Sequence, residues 1–302
     1  MRAIVLPDYG PASVLQLQTL PDPTPGANEI AVRVAGASVN PIDWKQRSGV
    51  LREYFPLKLP AVLGRDVAGT VAAIGPGVNA FAIGDRVLGR VPGGGYAELA
   101  VGPAAGFARV PANMDLADAG ALPLVLLTGA QLAEEAVGAR AGETILVTGA
   151  TGSVGRVAVW AAQARRAKVW AGVRGKYRDD AAKLGVDGVV ALEDDAEIAG
   201  LPALDGIANT VIGDAVQKLI GKLKAGGKIG SVVGEPTDAK ARGFVVTALL
   251  THDDSKRLGE MAQAVADGAL VVPIAKRFPL AEAGAAHEMA ETGATGKVLL
   301  VA

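Results

Sequence analysis

The segment Thr144-Ile-Leu-Val-Thr148-Gly-Ala-Thr-Gly152-Ser-Val-Gly155, with Val154, Val157, Ala158, Ala161 and Ala162 on one helical face, reads as a strand, a tight glycine loop and a helix. A side chain at Gly152 would hold the backbone away from a bound pyrophosphate, and one at Gly155 would hold the helix away from the strand. Free amides at the start of the helix suit an anion. The pattern is Ala150-x-Gly152-x-x-Gly155, short of the full three-glycine form, so its weight comes from the strand before it and the helix and strand after it. Other loop chemistries fail on inspection. No Lys-Ser/Thr follows the last glycine, and Thr151 stands where a nucleophile elbow around Ser153 needs glycine. Ala150, Thr151, Gly152, Ser153, Val154 and Gly155 are therefore the expected dinucleotide cradle.

The end of the next strand selects the cofactor, because an acid there holds ribose hydroxyls and a base holds a 2′-phosphate. Val173 is followed by Arg174, Gly175, Lys176, Tyr177 and Arg178, with no acid before Asp179. Either these cations are a solvated helix start or they await a phosphate. Cations at a helix N-terminus oppose its dipole, and a bound phosphate would relieve that. The residues point to NADPH, with Arg174, Lys176 and Tyr177 as its contacts.

Working outward from the loop, strand-like and helix-like segments alternate from about Leu116 to Asp267, the signature of a parallel sheet with helices on both faces. A helical pattern runs from Leu116 to Val137 ahead of the loop. The first 110 residues are instead broken every eight to twelve positions by Pro, Gly or Asn between short β-rich runs. The last thirty residues return to that punctuated style and end in the strand Gly296 to Val301, which needs a partner sheet. The expected domains are thus 1–118 with 270–302 as a discontinuous β domain, and 119–269 as the dinucleotide-binding domain.

Composition bounds the chemistry. A chain of 302 residues, half of them hydrophobic, is globular and large enough for two cores. Thirty Lys and Arg against thirty-one Asp and Glu give a net charge of −1, which offers no general attraction to nucleic acid or to an anionic membrane. Zero cysteines exclude disulfides, thiolate catalysis and Cys-based metal sites, and two histidines leave little for a metal. MRAIVLPDYG has no apolar signal core, and Ala119 to Ala133 is too short and too polar to span a bilayer. The sequence reads as cytoplasmic.

Several further stretches carry a resemblance over nearly the whole length. They are Ala37-Ser-Val-Asn-Pro-Ile-Asp-Trp-Lys45, Pro60-Ala-Val-Leu-Gly-Arg-Asp-Val-Ala-Gly69 with Val71, Gly84-Asp-Arg-Val87, Tyr96-Ala-Glu98, Phe278-Pro-Leu280, Ala286-His287 and Gly296-Lys-Val298. In this order, with the glycine loop, the chain resembles the zinc-independent quinone oxidoreductase branch of the medium-chain dehydrogenase/reductase superfamily. The resemblance implies a GroES-like β-barrel domain beside a Rossmann domain of α/β class, an active site in the cleft between them, and a homodimer. In zinc-dependent members a cysteine precedes the Asp43-like position and a Gly-His-Glu holds the metal. Here Ser38 and Asn40 fill the first region, and Gly64-Arg65-Asp66 the second.

Without a Lewis acid a simple ketone is hard to polarise. Quinones and α,β-unsaturated carbonyls need less activation, since hydride addition gives a delocalised anion. The resemblance makes Asn40 the first candidate to hold the acceptor carbonyl, its alternative being a turn residue before Pro41. Lys45 and Tyr54 are further candidates, and Lys45 equally fits a helix residue reaching for solvent. Asp43 fits an orienting role. Thr128 matches the family's nicotinamide-side threonine or else caps and packs. Val211, Ser231, Val232 and Val233 end the fourth and fifth strands, where the nicotinamide is expected if they are more than sheet core. His287 is expected to pack or lie at the surface, and His252 at the surface. Tyr54 and Lys58 match a short-chain reductase spacing that Pro56 breaks. The implied activity is NADPH-dependent reduction of a quinone or enone. The alternatives are a non-catalytic NADPH-binding sensor or scaffold of the same fold, and nucleic-acid binding through Arg165, Arg166 and Lys168, which the neutral net charge disfavours.

Overall fold

A computed structural model describes residues 1–236 and 239–302. The chain divides into two compact units, Met1–Leu124 with Asp253–Ala302, and Val125–His252. Residues 253–269, which the sequence reading gave to the dinucleotide-binding part, lie with the first unit. Their helix, Ser255–Ala266, packs on the strand Phe107–Arg109 of that unit and buries Leu258, Met261 and Ala262. An alternating α/β pattern does not reveal which sheet its last helix joins.

The first unit is built on a seven-stranded sheet around the long strand Glu29–Val39. This strand pairs antiparallel with Asp66–Ile74, with Leu99–Pro103 and with the terminal strand Lys297–Val301, placing Val298 opposite Val39. The β-branched and leucine residues at Ile30, Val32, Val67, Val71, Val87, Val298 and Leu300 point into one core with Tyr96 and Phe107. Arg2–Leu6 lies in a separate three-stranded sheet and pairs with Gln16–Thr19 and Ala61–Val62.

The second unit carries six parallel strands: Thr144–Thr148, Lys168–Val173, Gly188–Ala191, Leu204–Asn209, Leu223–Ser231 and Val245–Ala248. Numbered in chain order they lie 3-2-1-4-5-6, the doubly wound Rossmann order, with Thr144–Thr148 beside both Lys168–Val173 and Leu204–Asn209. The chain reverses direction across the sheet at that first strand, and the glycine loop begins at its carboxyl end. The fold is therefore an α/β Rossmann sheet plus a discontinuous GroES-like β-barrel unit.

The helical pattern from Leu116 to Val137 is broken in three. Leu116–Ala119 is one turn, Pro123–Gln131 a helix, and Leu132–Ala136 a wide turn closed by the Val137 amide donating to the Leu132 carbonyl at 3.0 Å. Pro123 explains the first break: it lacks an amide hydrogen, restricts Leu122, and is well suited to the first helical position.

Candidate cofactor and acceptor sites

In the second unit the glycine loop is closed by backbone packing. The Gly152 amide donates to the Gly149 carbonyl at 2.9 Å. A Cβ at Gly155 would stand 2.1 Å from that same oxygen, so only glycine lets the helix Ser153–Ala164 sit this close to the turn. Ala150 is fully buried under the loop, and the Arg156 side chain reaches back so that its Nε donates to the Thr151 carbonyl at 2.8 Å. The first intrahelical bond is from the Arg156 amide to the Gly152 carbonyl, which leaves the amides of Ser153, Val154 and Gly155 at the helix mouth. These are the donors a pyrophosphate needs. The residues present fit a dinucleotide.

The carboxyl ends of three neighbouring strands are tied together beside the loop. Thr148 Oγ1 donates to Asn209 Oδ1 at 2.8 Å, and Asn209 Nδ2 donates to Ser231 Oγ at 3.1 Å. The Thr210 amide donates back to Thr148 Oγ1 at 2.9 Å, and all three strand-end side chains are buried. Sequence reading missed Thr148 and Asn209, although a polar residue ending an apolar strand was the available signal. Ser231 is 1 % exposed with its hydroxyl used inside this chain, so it braces the edge instead of presenting a side chain outward. Val211, Val232 and Val233 follow at the same edge, half-buried. Thr128 is buried on its helix and shares a 2.8 Å hydrogen bond with Thr251 Oγ1.

Past the second strand, Arg174 and Lys176 are exposed and form no ion pair among the described residues, and Lys176 Nζ lies 4.9 Å from the centre of the Tyr177 ring. Arg178 is engaged by Glu197 at 2.5 Å. Sequence reading missed Glu193, whose carboxylate accepts the Gly175 amide hydrogen at 2.7 Å.

The first unit holds a dense buried polar cluster. Asn40 caps the helix Pro41–Arg47, and Asp43 on its first turn accepts the Asn40 amide hydrogen at 2.8 Å and the Tyr96 hydroxyl hydrogen at 3.0 Å. Asn40 Nδ2 donates to Asp66 Oδ2 at 2.8 Å, Ser38 Oγ donates to the same oxygen at 2.8 Å, and the Leu124 amide donates to Asp66 Oδ1 at 2.9 Å. From the terminal strand the ammonium of Lys297 donates to Asn40 Oδ1 at 2.5 Å. Gly64, at φ +90°, permits this arrangement: a Cβ there would meet the Tyr96 ring at 2.4 Å. Asn40 is only 1 % exposed and its amide is taken up on both sides, so it organises the loop from within and presents no donor outward. Lys45 is half-buried over the Trp44 ring, and Tyr54 is 77 % exposed, so these two are the candidates that reach toward solvent.

His287 is fully buried, which removes the surface option. Its Nδ1 faces Arg47 Nη1 at 3.3 Å, and its ring meets Tyr96 edge to face at 5.6 Å. Arg47 also bonds Glu291 at 2.5 Å. His252 is exposed beside Glu135 in the other unit.

Asp43 and His287 titrate in opposite senses. Burial pushes the Asp43 carboxyl up to about 6 against the pull of the Asn40 amide, with Asp66 adding to the rise. Burial, reinforced by the Arg47 charge, holds His287 down at about 3. As pH falls from about 6.5 to about 3, the unfolded chain protonates this histidine and the folded one does not, so His287 costs stability. Asp43 takes its proton near 6 when folded and near 3.8 when unfolded, so it adds stability as pH falls through that window. Between about pH 4 and 6 the two offset each other. Asp43→Asn should uncover the histidine, steepening the loss of stability by up to about 1.4 kcal/mol per pH unit between roughly pH 6 and 4. Unfolding free energies across that range check this. Parallel profiles for the parent and the variant would contradict it.

The alcohol dehydrogenase GroES-like domain family matches residues 26–112, and the zinc-binding dehydrogenase family matches residues 184–300. The chain is 30% identical to the chloroplast envelope quinone oxidoreductase homolog of Arabidopsis thaliana, an alignment covering 99% of this chain and 98% of that protein. The chain belongs to the quinone oxidoreductases of the medium-chain dehydrogenase/reductase superfamily. It is also 30% identical to the quinone oxidoreductase of Rattus norvegicus, over 100% of this chain and 98% of that one. The solved quinone oxidoreductase of Coxiella burnetii matches with a TM-score of 0.90 and 28% identity, over 100% of this chain and 99% of that one. Like its family, the chain is an oxidoreductase on a dinucleotide-binding fold. No helix among the described residues is long and apolar enough to cross a membrane.

The zinc that one family description implies does not fit these residues. The chain has no cysteine, and among the described residues no three His, Cys, Asp or Glu side chains converge to hold a metal. Asp43 Oδ2 and both oxygens of Asp66 instead accept hydrogen bonds, with the Lys297 ammonium one residue away across Asn40. A second cation is disfavoured there.

Proposed function

We propose that this oxidoreductase transfers hydride from NADPH to a quinone or an α,β-unsaturated carbonyl. The observation that carries the reading is the glycine loop at the carboxyl edge of the parallel sheet, followed at the next strand end by Arg174 and Lys176 outside any ion pair among the described residues. In this reading the loop from Ala150 to Gly155 holds the pyrophosphate, while Arg174, Lys176 and Tyr177 hold the 2′-phosphate end. Thr128, Val211, Val232 and Val233 serve the nicotinamide side, with Ser231 bracing the strand end.

The quinone acceptor is inferred from relatives named quinone oxidoreductase. A bound nicotinamide supplies the hydride. The protein aligns the acceptor carbon within about 3–3.5 Å of it and offers a hydrogen-bond donor where negative charge gathers. Lys45 and Tyr54 are the donors that reach outward, and Asn40, Asp43, Asp66 and Lys297 hold their loop in place. A proton from solvent completes the reduction. The outer edge of Val245–Ala248, where Val245 is 54% exposed and Leu250 beyond it 74%, supports pairing with a second copy as a homodimer.

Two charge-assisted contacts to the 2′-phosphate, each worth about 1.5–3 kcal/mol, should make NADPH bind at least about ten-fold tighter than NADH. Arg174→Ala should remove most of that margin. Fluorescence titration measures both constants, and equal values in the parent protein would overturn the cofactor assignment.

A further inference from the structure

Glu193 lies just past the third parallel strand, Gly188–Ala191, and its Oε1 holds the Gly175 amide at 2.7 Å. Gly175 lies between Arg174 and Lys176, so a carboxylate now rests on the backbone amide between the two cations that the NADPH reading gives to the 2′-phosphate. The Gly175 amide, with the Arg174 charge nearby, holds the Glu193 carboxyl below the usual range, and it is an anion at neutral pH. No neighbour neutralises it by an ion pair among the described residues: Arg178 is taken by Glu197, which also accepts the Ala191 amide hydrogen at 2.9 Å. The Glu193 side chain is exposed on a flexible stem, and its one hydrogen bond beyond its own residue is to Gly175.

Such a carboxylate treats the two nicotinamide cofactors differently. A ribose hydroxyl is a donor, and an acid at this place accepts from it. A 2′-phosphate brings more negative charge to the same amide and guanidinium, so it meets repulsion until the carboxylate rotates into solvent.

We propose that Glu193 sets the cofactor preference of this site: resting on Gly175 it accepts the ribose hydroxyls of NADH, and it must swing out to admit the 2′-phosphate of NADPH. This rests on the NADPH reading above. It adds that the chain's preference for NADPH is held down by its own acid, supplied from the third strand instead of the second.

Dissociation constants for NADPH and NADH, titrated against the parent, Glu193→Gln and Arg174→Ala proteins, test the proposal without turnover. Glu193→Gln should tighten NADPH and weaken NADH, moving the ratio of the two constants by on the order of ten-fold. A ratio that stays within about two-fold, or two constants that change in parallel, would overturn the role and leave Glu193 as a loop tie. The underlying reading fails separately. If Arg174→Ala leaves NADPH binding untouched, the phosphate is not held here, whereas a strong Arg174 effect with a flat Glu193 result removes the Glu193 proposal alone.

Discussion

Replacing Lys297 by methionine should lower the unfolding free energy by about 3–5 kcal/mol, although the substitution keeps most of the side-chain volume. Lys297 is only 4 % exposed on the terminal strand, and its ammonium bonds Asn40 Oδ1. Burial drives its pKa down, while Asp66 and Asp43 pull it back up. Without the ammonium, Asn40 Oδ1 loses its donor and the two buried carboxyl groups lose their nearest cation. Leaving one partner of a buried charge set in place costs far more than removing the whole set. Denaturant unfolding of the intact chain measures the difference. A change below about 1 kcal/mol would show that the cluster is stabilised by packing alone.

Gly155→Val should abolish useful dinucleotide binding, with an affinity loss of at least about a hundred-fold, because a loop pushed outward forfeits two or more charge-assisted amide contacts. The clash is with backbone: the added Cβ would lie 2.1 Å from the Gly149 carbonyl oxygen and 2.9 Å from the Ala150 Cα, and neither can rotate away. Gly152 has more room, its Cβ meeting the Gly149 oxygen at 3.2 Å. Gly152→Ala should therefore weaken binding less than Gly155→Val does. Calorimetric or fluorescence titration of the two variants gives the order, and the reverse order would mean that the loop holds the cofactor in another way.

The dinucleotide loop was legible because its constraints are local. A strand, a turn and a helix within a dozen residues must share one geometry, and glycine marks where backbone meets backbone. The return of the terminal strand to the first sheet was legible for a similar reason, since an apolar strand cannot end a chain unpaired. The acceptor side was not. Asn40 looks like an outward donor until Asp66, 26 residues away, is seen to accept from its amide nitrogen. Glu193 is not legible at the end of the second strand, where such an acid ordinarily stands, because it arrives from the end of the third, eighteen residues beyond Gly175. The helix Ser255–Ala266 was assigned by its rhythm, which carries no information about the sheet it covers. Pro123 starts a new helix inside a longer apolar pattern whose rhythm runs straight across it.

Hydride transfer from the nicotinamide to the acceptor is tested most directly by isotope. NADPH carrying deuterium at both C4 positions should be oxidised when an enone is added, and mass spectrometry should find one deuterium on the β-carbon of the saturated product. Binding of NADPH with no deuterium delivered to any enone, and no NADPH oxidation by a panel of quinones, would contradict the account and leave a cofactor-binding protein without this chemistry.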